Sequence, residues 1–124
     1  MTGITRYRSG GPFEAKVGYC RAVRAGDTVY VAGTVASEPV PDGIVAQCDS
    51  ALARIDMALR DAGSGLTDVV RATYYVTDIA QFELCWPALR RAFGDNPPAA
   101  TVIEAKLIDP TDLIEIEVTA YSPR

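Results

Sequence analysis

Hydrophobic and polar residues alternate most regularly near the end of the chain. The run LIEIEV at residues 113–118 predicts a β-strand, in which side chains two residues apart share one face. Glu115 and Glu117 therefore lie on the same face. If that face is buried, desolvation raises the pKa of a carboxyl held there. The alternative, which the pattern alone favours, is an edge strand with a hydrated face.

The rest of the pattern predicts an α+β fold in the order ββαβαββ. Apolar residues recur every three or four positions over residues 46–62, which predicts an amphipathic helix ended by Gly63. A second helix is predicted over residues 79–93, with Pro87 in its first turns or at a kink. Both helices are expected on one face of a mixed sheet, within a single domain of residues 1–124. The predicted strands are residues 17–23, 28–33 and 68–78, then two more after a loop at residues 94–98.

Composition and charge exclude several classes of protein. With 48% hydrophobic and 23% charged residues, a chain of 124 residues can bury an ordinary core. Its net charge of -4 disfavours the broad basic surface that nucleic-acid binding needs, so we expect no nucleic-acid partner. No apolar run is long enough to span a membrane, and residues 1–11 lack the apolar core of a signal peptide. The expected location is cytoplasmic, without membrane attachment.

Histidine and cysteine limit the available chemistry further. The chain has no histidine, which excludes Ser-His and Cys-His nucleophiles and disfavours a typical zinc hydrolase site. Its three cysteines match no zinc or disulfide spacing, so reduced thiols are expected. We expect Cys20 in the core, and Cys48 and Cys85 packed on the helices.

Four segments carry a more specific pattern: GYCRAV at residues 18–23, VAGT at 31–34, YVTD at 75–78, and the block from Pro98 to Glu117. Their sequences and spacing resemble the reactive-intermediate deaminase (Rid, formerly YjgF) family over the whole chain. The resemblance implies a chorismate-mutase-like fold, a homotrimer, and a small-molecule pocket at each subunit interface. It also implies hydrolysis of enamines or imines, such as 2-aminoacrylate, to 2-oxo acids and ammonia. No metal or organic cofactor is expected.

Three residues match working positions of that family. Glu115 lies where its deaminases place the glutamate that positions the attacking water, and Tyr19 where they place a pocket tyrosine. Gly33 matches the glycine whose backbone faces the substrate. Each residue has a structural alternative: an interface hydrogen bond for Glu115, an interface aromatic contact for Tyr19, and a bulge or close packing for Gly33.

Four other positions depart from the family. Ala100 replaces the arginine that clamps the substrate carboxylate, while Ala32, Trp86 and Val102 replace a serine, an asparagine and a cysteine. Because an arginine–carboxylate fork fixes both affinity and orientation, its loss predicts poor activity on small imino acids. The apolar replacements favour a less polar or bulkier ligand, with Trp86 as a stacking surface or as a cap on the second helix.

Arg21 is the candidate for a replacement anchor. It lies two residues after Tyr19, which predicts the same face of the strand. Its alternative is a salt bridge with Glu104 or Glu115. The sequence therefore predicts a divergent Rid-family enzyme for an enamine or imine, with Glu115 and Tyr19 as the catalytic candidates. A trimer that binds a small molecule without catalysis is the alternative, and an endoribonuclease is a weaker one.

Overall fold

A computed structural model describes residues 3–124, which form one six-stranded mixed sheet with three helices. The strands lie in the order β1-β2-β3-β6-β4-β5. Only β4 and β5 are parallel neighbours, and the other pairs are antiparallel. The predicted α+β class with a mixed sheet is confirmed. The elements are β1 Ile4–Tyr7, α1 Pro12–Val17, β2 Ala22–Ala25, β3 Thr28–Thr34, α2 Ile44–Asp61, β4 Val69–Val76, α3 Trp86–Phe93, β5 Ala99–Glu104 and β6 Ile114–Tyr121.

The core lies between one face of the sheet and the helices. Along β6, buried residues alternate with partly exposed ones, so that Ile114 and Ile116 are buried while Glu115 and Glu117 are not. Helix α2 packs against β3 and β6 through its apolar side. The edge-strand interpretation of the glutamates is wrong, because β6 lies between β3 and β4. Both glutamates instead lie on the face of the sheet opposite the core.

Proline divides the second predicted helix into two parts. Residues Ile79–Cys85 form a 3-10 helix, and α3 begins only at Trp86. Pro87 therefore lies in the first turn of α3, where its missing N–H has no helical partner to lose. In a continuous α-helix its ring would clash with the carbonyl of Glu83, four residues earlier. The first predicted helix differs from α2 by two residues at its start and one at its end.

The N-terminal part of the fold was predicted incorrectly. Residues 17–23 are not one strand, because α1 ends at Val17 and β2 begins at Ala22. Two sequence signals mark this helix, Pro12 in its first turn and Gly18 just after it, with a left-handed φ of 94°. Strand β1, which pairs with β2, was also missed, so the order ββαβαββ lacks one strand and one helix.

A buried arginine joins the second strand to the end of the longest helix. Arg24 is 2% exposed. Its Nε donates to the carbonyl of Ala62 at 2.8 Å, and its Nη1 donates to the carbonyl of Ser122 at 2.8 Å. The first bond satisfies a carbonyl that the end of α2 leaves without an intrahelical donor, and the second holds the segment that follows β6. They fix the hairpin that leads into the candidate site.

The cysteines agree only in part with the prediction. Cys48 and Cys85 are fully buried, as expected. Cys20 is partly exposed rather than in the core, because it lies in the connection between α1 and β2 and not in a strand.

Candidate functional site

A break in strand pairing creates the site. Val31 of β3 pairs with Val118, and the next paired residues are Thr34 and Ile116. Between these two pairs β3 has one residue more than β6. This is the geometry of a β-bulge, which re-aims the residues beside it. The bulge includes Ala32 and Gly33. The Thr34 hydroxyl donates to the Ala32 carbonyl at 2.7 Å and helps to hold this shape.

Glu115 lies directly against the bulge. A Cβ atom placed on Gly33 would lie 2.0 Å from Oε2 of Glu115, which is far inside van der Waals contact. A side chain at position 33 would therefore force the Glu115 carboxylate to move. This close approach is the alternative expected for Gly33 from the sequence, and here the group that approaches is the candidate catalytic acid itself.

The environment of Glu115 favours its protonated form. Burial raises the pKa of this carboxyl above its usual value, the nearby carboxyls of Asp112 and Glu117 raise it further, and Arg21 opposes them. A raised pKa makes a carboxylate a stronger proton acceptor than an ordinary one, which suits it to general acid–base catalysis. Glu117, on the same face, accepts a hydrogen bond of 2.5 Å from the Tyr75 hydroxyl, and this bond raises the pKa of Tyr75.

Arg21 lies near Glu115, and Tyr19 lies near Arg21, although neither residue is on a strand. Nη2 of Arg21 donates to the Gly33 carbonyl at 2.7 Å, and the guanidinium carbon is 5.9 Å from the centre of the Tyr19 ring. The prediction that these two residues share a strand face is wrong, because both lie in the connection between α1 and β2. No salt bridge within 4 Å joins Arg21 to Glu104 or Glu115 among the described residues. Burial lowers the pKa of Arg21, and the guanidinium of Arg54 lowers it further.

Two charged residues near the site were missed from the sequence. Arg54, on α2, donates from Nη1 to the Val35 carbonyl at 2.7 Å. Asp112 is 7% exposed, and its Oδ1 is buried without a hydrogen-bond partner in the described part of the chain. Burial and the carboxyls of Asp109 and Glu38 raise the pKa of Asp112, whereas Arg54 lowers it. In the sequence, Asp112 is marked only by its position three residues before Glu115. Nothing in the apolar spacing of α2 distinguishes Arg54 from its other polar residues.

The remaining predicted site residues lie elsewhere on the chain. Ala100 and Val102 of β5 pair with Ala72 and Tyr74, both buried on the helix side of the sheet, so they face away from Glu115. Trp86, 48% exposed, joins Ala100 in a groove of about 310 Å³. The other residues of this groove are mostly apolar: Tyr74, Phe82, Leu89, Arg90, Phe93, Gly94, Pro97 and Pro98. Within one chain, Trp86, Ala100 and Val102 therefore do not lie beside Glu115 and Arg21.

A second cavity lies on the same side of the sheet as Glu117. It has a volume of about 550 Å³ and includes both Tyr19 and Ala32. Tyr30, Arg6, Arg71 and Glu117 are also in its lining. Tyr19 thus lies between this cavity and Arg21, with an exposed fraction of 40%.

The described residues contain no metal-binding cluster of three or more His, Cys, Asp or Glu side chains. No helix of residues 3–124 has the length and apolar character needed to cross a membrane.

Comparisons with known proteins agree on the family. Residues 11–122 match the family model described as Endoribonuclease L-PSP. A RutC family protein of Pyrococcus abyssi is 31% identical over 108 residues, covering 83% of this chain and 85% of the relative. A goat (Capra hircus) protein named 2-iminobutanoate/2-iminopropanoate deaminase is 30% identical over 107 residues, covering 82% of this chain and 78% of that protein.

Solved structures give the same result. The crystal structure of a Mycobacterium tuberculosis member of the YjgF/YER057c/UK114 family is 46% identical, with a TM-score of 0.90. That alignment covers 95% of this chain and 98% of the other. A YjgF family protein from Neisseria meningitidis is 26% identical, with a TM-score of 0.81, over 99% of this chain and 98% of the other.

Substitution of Gly33 tests its contact with Glu115. Gly33→Ala should displace the Glu115 carboxylate and lower the free energy of unfolding, because the new Cβ would lie too close to Oε2 of Glu115. In a Glu115→Ala background the same change should be much less destabilising, giving a coupling energy of about 0.5–3 kcal/mol in a double-mutant cycle. Denaturant unfolding of the four proteins measures it. Gly65→Ala is the control, because nothing lies within 4 Å of its Cβ position and its φ of -167° suits any residue. Equal effects of Gly33→Ala in both backgrounds would contradict the contact.

The raised pKa of Glu115 predicts a pH-dependent effect of Glu115→Gln on stability. The folded state binds the proton more tightly than the unfolded state, so this carboxyl's contribution is complete below its unfolded pKa and is lost as the pH rises through its folded pKa. Glu115→Gln should therefore raise the melting temperature at pH 7 more than at pH 4. Calorimetric scans at both pH values provide the measurement. Glu83→Gln, at an exposed position, should change stability by less than about 0.5 kcal/mol at either pH. Destabilisation confined to pH 7 would give the opposite sign and rule out the raised pKa.

Proposed function

The chain belongs to the Rid (YjgF) family, as the sequence predicts, and we propose that it hydrolyses an enamine or imine at a pocket between subunits of a homotrimer. One observation carries this proposal. Glu115 is a partly buried carboxyl with a raised pKa, held against a glycine backbone beside Arg21. A relative named as an iminobutanoate and iminopropanoate deaminase supports the choice of reaction.

The chemistry requires a water molecule and one proton carrier. Glu115 aligns a water molecule with the carbon of the C=N bond and accepts a proton as the water attacks. The imine reacts in its protonated form, so the resulting carbinolamine carries a neutral amine. The same carboxyl returns its proton to that nitrogen, the C–N bond breaks with release of ammonia, and the hydroxyl passes its proton to the carboxylate as the C=O bond forms. An enamine substrate first takes a proton on carbon to become the imine. Tyr19, beside Arg21, provides a hydroxyl donor that orients the ligand.

The trimer supplies the other side of the pocket. Trp86, Ala100 and Val102 lie on the opposite side of the sheet from Glu115 within one chain, so their contribution to the same pocket requires a neighbouring subunit. In this arrangement the ligand lies between the charged groups of one subunit and the aromatic groove of the next. Ala100 provides no charge, and the groove of Trp86, Phe82 and Phe93 favours an apolar substituent larger than a methyl group.

A trimer that binds the same class of ligand without turnover is the alternative function. It is favoured by Ala100, since β5 carries no positively charged side chain to fix a small anionic substrate. Endoribonuclease activity, the description of the family model, is the weaker alternative. The net charge of -4 and the absence of histidine disfavour it.

The first test of this arrangement is the oligomeric state. The protein at micromolar concentration should have the mass of three 13.3 kDa chains, because the pocket needs residues from two subunits. Light scattering coupled to size-exclusion chromatography measures this mass. A stable monomer would remove the basis for a shared pocket.

The second test is a Glu115→Gln substitution assayed on a panel of enamines and imines with small and bulky side chains. Glutamine keeps the shape of glutamate but accepts no proton, so turnover should fall by about 10²- to 10⁴-fold. The ammonia released per unit time is the measurement. Glu117→Gln is the matched control, on the same strand and the same face, and should retain most of the activity. Full activity in Glu115→Gln would refute the proton-carrier role, and an inactive parent protein would favour the binding alternative.

A further inference from the structure

Two arginines near the bulge carry positive charge that no carboxylate neutralises by direct contact. Among residues 3–124, the ion pairs within 4 Å are Arg60–Asp56 and Arg91–Asp49, and neither involves Arg21 or Arg54. The two guanidiniums are close enough for Arg54 to lower the pKa of Arg21. Like charges at a partly buried position are unfavourable unless an anion lies near them.

Backbone carbonyls orient these guanidiniums without neutralising them. Arg21 donates to the carbonyl of Gly33, and Arg54 donates to the carbonyl of Val35, two residues further along the same segment. Each arginine has five N–H donors, and these contacts use one from each. Nε of Arg21 is buried and has no partner in the described part of the chain. Because Nε is closed to solvent, a ligand carboxylate would accept two parallel hydrogen bonds from the Nη1 and Nη2 end of the guanidinium, where the single bond to Gly33 leaves donors unused.

The acidic neighbours do not fill this role. Glu115 and Asp112 are both near the arginines, but neither forms an ion pair with them within 4 Å among the described residues. Both carboxyls have raised pKa values, so each favours its neutral form more than an ordinary carboxyl does. The positive charge is therefore available to a ligand.

Gly33 places the Arg21 guanidinium near the Glu115 carboxyl. Its carbonyl accepts the hydrogen bond from Arg21, and its Cα lies against the Glu115 carboxylate. In an imine of a 2-oxo acid, the carbon attacked by water is bonded directly to the carboxylate carbon. A carboxylate held by Arg21 would thus bring that carbon beside Glu115, as the reaction requires.

We propose that Arg21, supported by Arg54, binds the carboxylate of a ligand whose adjacent carbon is processed at Glu115. The substrate class is then the enamines and imines of 2-oxo acids that bear a bulky apolar side chain. This inference rests on the proposed function for the reaction, but the anion site itself can be tested without turnover. In this proposal the ligand carboxylate contacts Arg21, on the subunit that supplies Glu115. It does not contact β5, where Ala100 carries no charge.

Binding of 4-methyl-2-oxopentanoate, a stable 2-oxo acid, tests the site by titration calorimetry on the intact protein. The wild type should bind this acid at least about 30-fold more tightly than its methyl ester, because the ester lacks the negative charge. Arg21→Gln should reduce affinity for the acid by a similar factor and leave affinity for the ester unchanged. Arg21→Lys should recover part of the loss, since lysine supplies a point charge without the fork. Arg60→Gln removes the same charge from an exposed, ion-paired position on α2 and should have no effect.

Several results would overturn the anion site. Equal affinity of the wild type for acid and ester would do so without any variant, and so would the absence of measurable acid binding. Unchanged acid binding by Arg21→Gln would exclude Arg21 as the anchor, provided that the variant keeps its melting temperature. If Arg21→Gln fails to fold, Arg21→Lys decides: a preference for the acid that is smaller than in the wild type supports the anchor, and full acid affinity in this variant refutes the fork.

The anion site and the hydrolytic function can fail separately. Preferential binding of the acid through Arg21, together with no turnover on any imine, would support the site and refute the enzyme. Glu115-dependent turnover at equal rates on imines of the acid and of the ester would support the enzyme and refute the site.

Discussion

The contact between the Glu115 carboxylate and the Gly33 backbone constrains the rest of the site. It exists because β3 has one more residue than β6 between their paired positions, which brings a glycine opposite an acid. The carbonyl of the same glycine holds Arg21, so one residue sets the position of both charges. A larger residue at position 33 would disturb the acid first, because the nearest atoms to its Cβ belong to that side chain.

Partial burial gives these charges their chemical character. In most proteins, charged groups out of water are paired with opposite charges. Around this bulge Arg21, Arg54, Asp112 and Glu115 influence one another electrostatically, but none is in an ion pair within the described part of the chain. An arrangement of this kind is unfavourable for folding alone and is typical of functional sites. The two glutamates stand out in the sequence as an alternating pattern, and Glu115 acquires its chemical character from the charged groups that the fold places near it.

The sequence predicted the parts of the fold that depend on periodicity. The alternation in β6 and the apolar spacing in α2 correspond to the faces that the structure buries. The helix before Tyr19 was missed, although Pro12 and Gly18 mark its ends, because the apolar residues of α1 are exposed and only Glu14 is buried. The bulge and the role of Arg54 depend on contacts between residues distant in sequence, which no local pattern records. The separation of Trp86, Ala100 and Val102 from Glu115 likewise follows only from sheet order and strand register.

Pro87 separates the 3-10 segment from α3, and its position affects which residue of the groove can be replaced during evolution. It makes Trp86 the first residue of a helix, with about half of its side chain exposed. A position at a helix start contributes little to interior helix hydrogen bonding, and side chains of very different size are tolerated there. The helix itself is anchored by Ala88 and Phe93, which are buried further along. Replacements at position 86 can therefore change ligand preference without changing the fold. Ligand recognition and stability then depend on separate residues of one short helix.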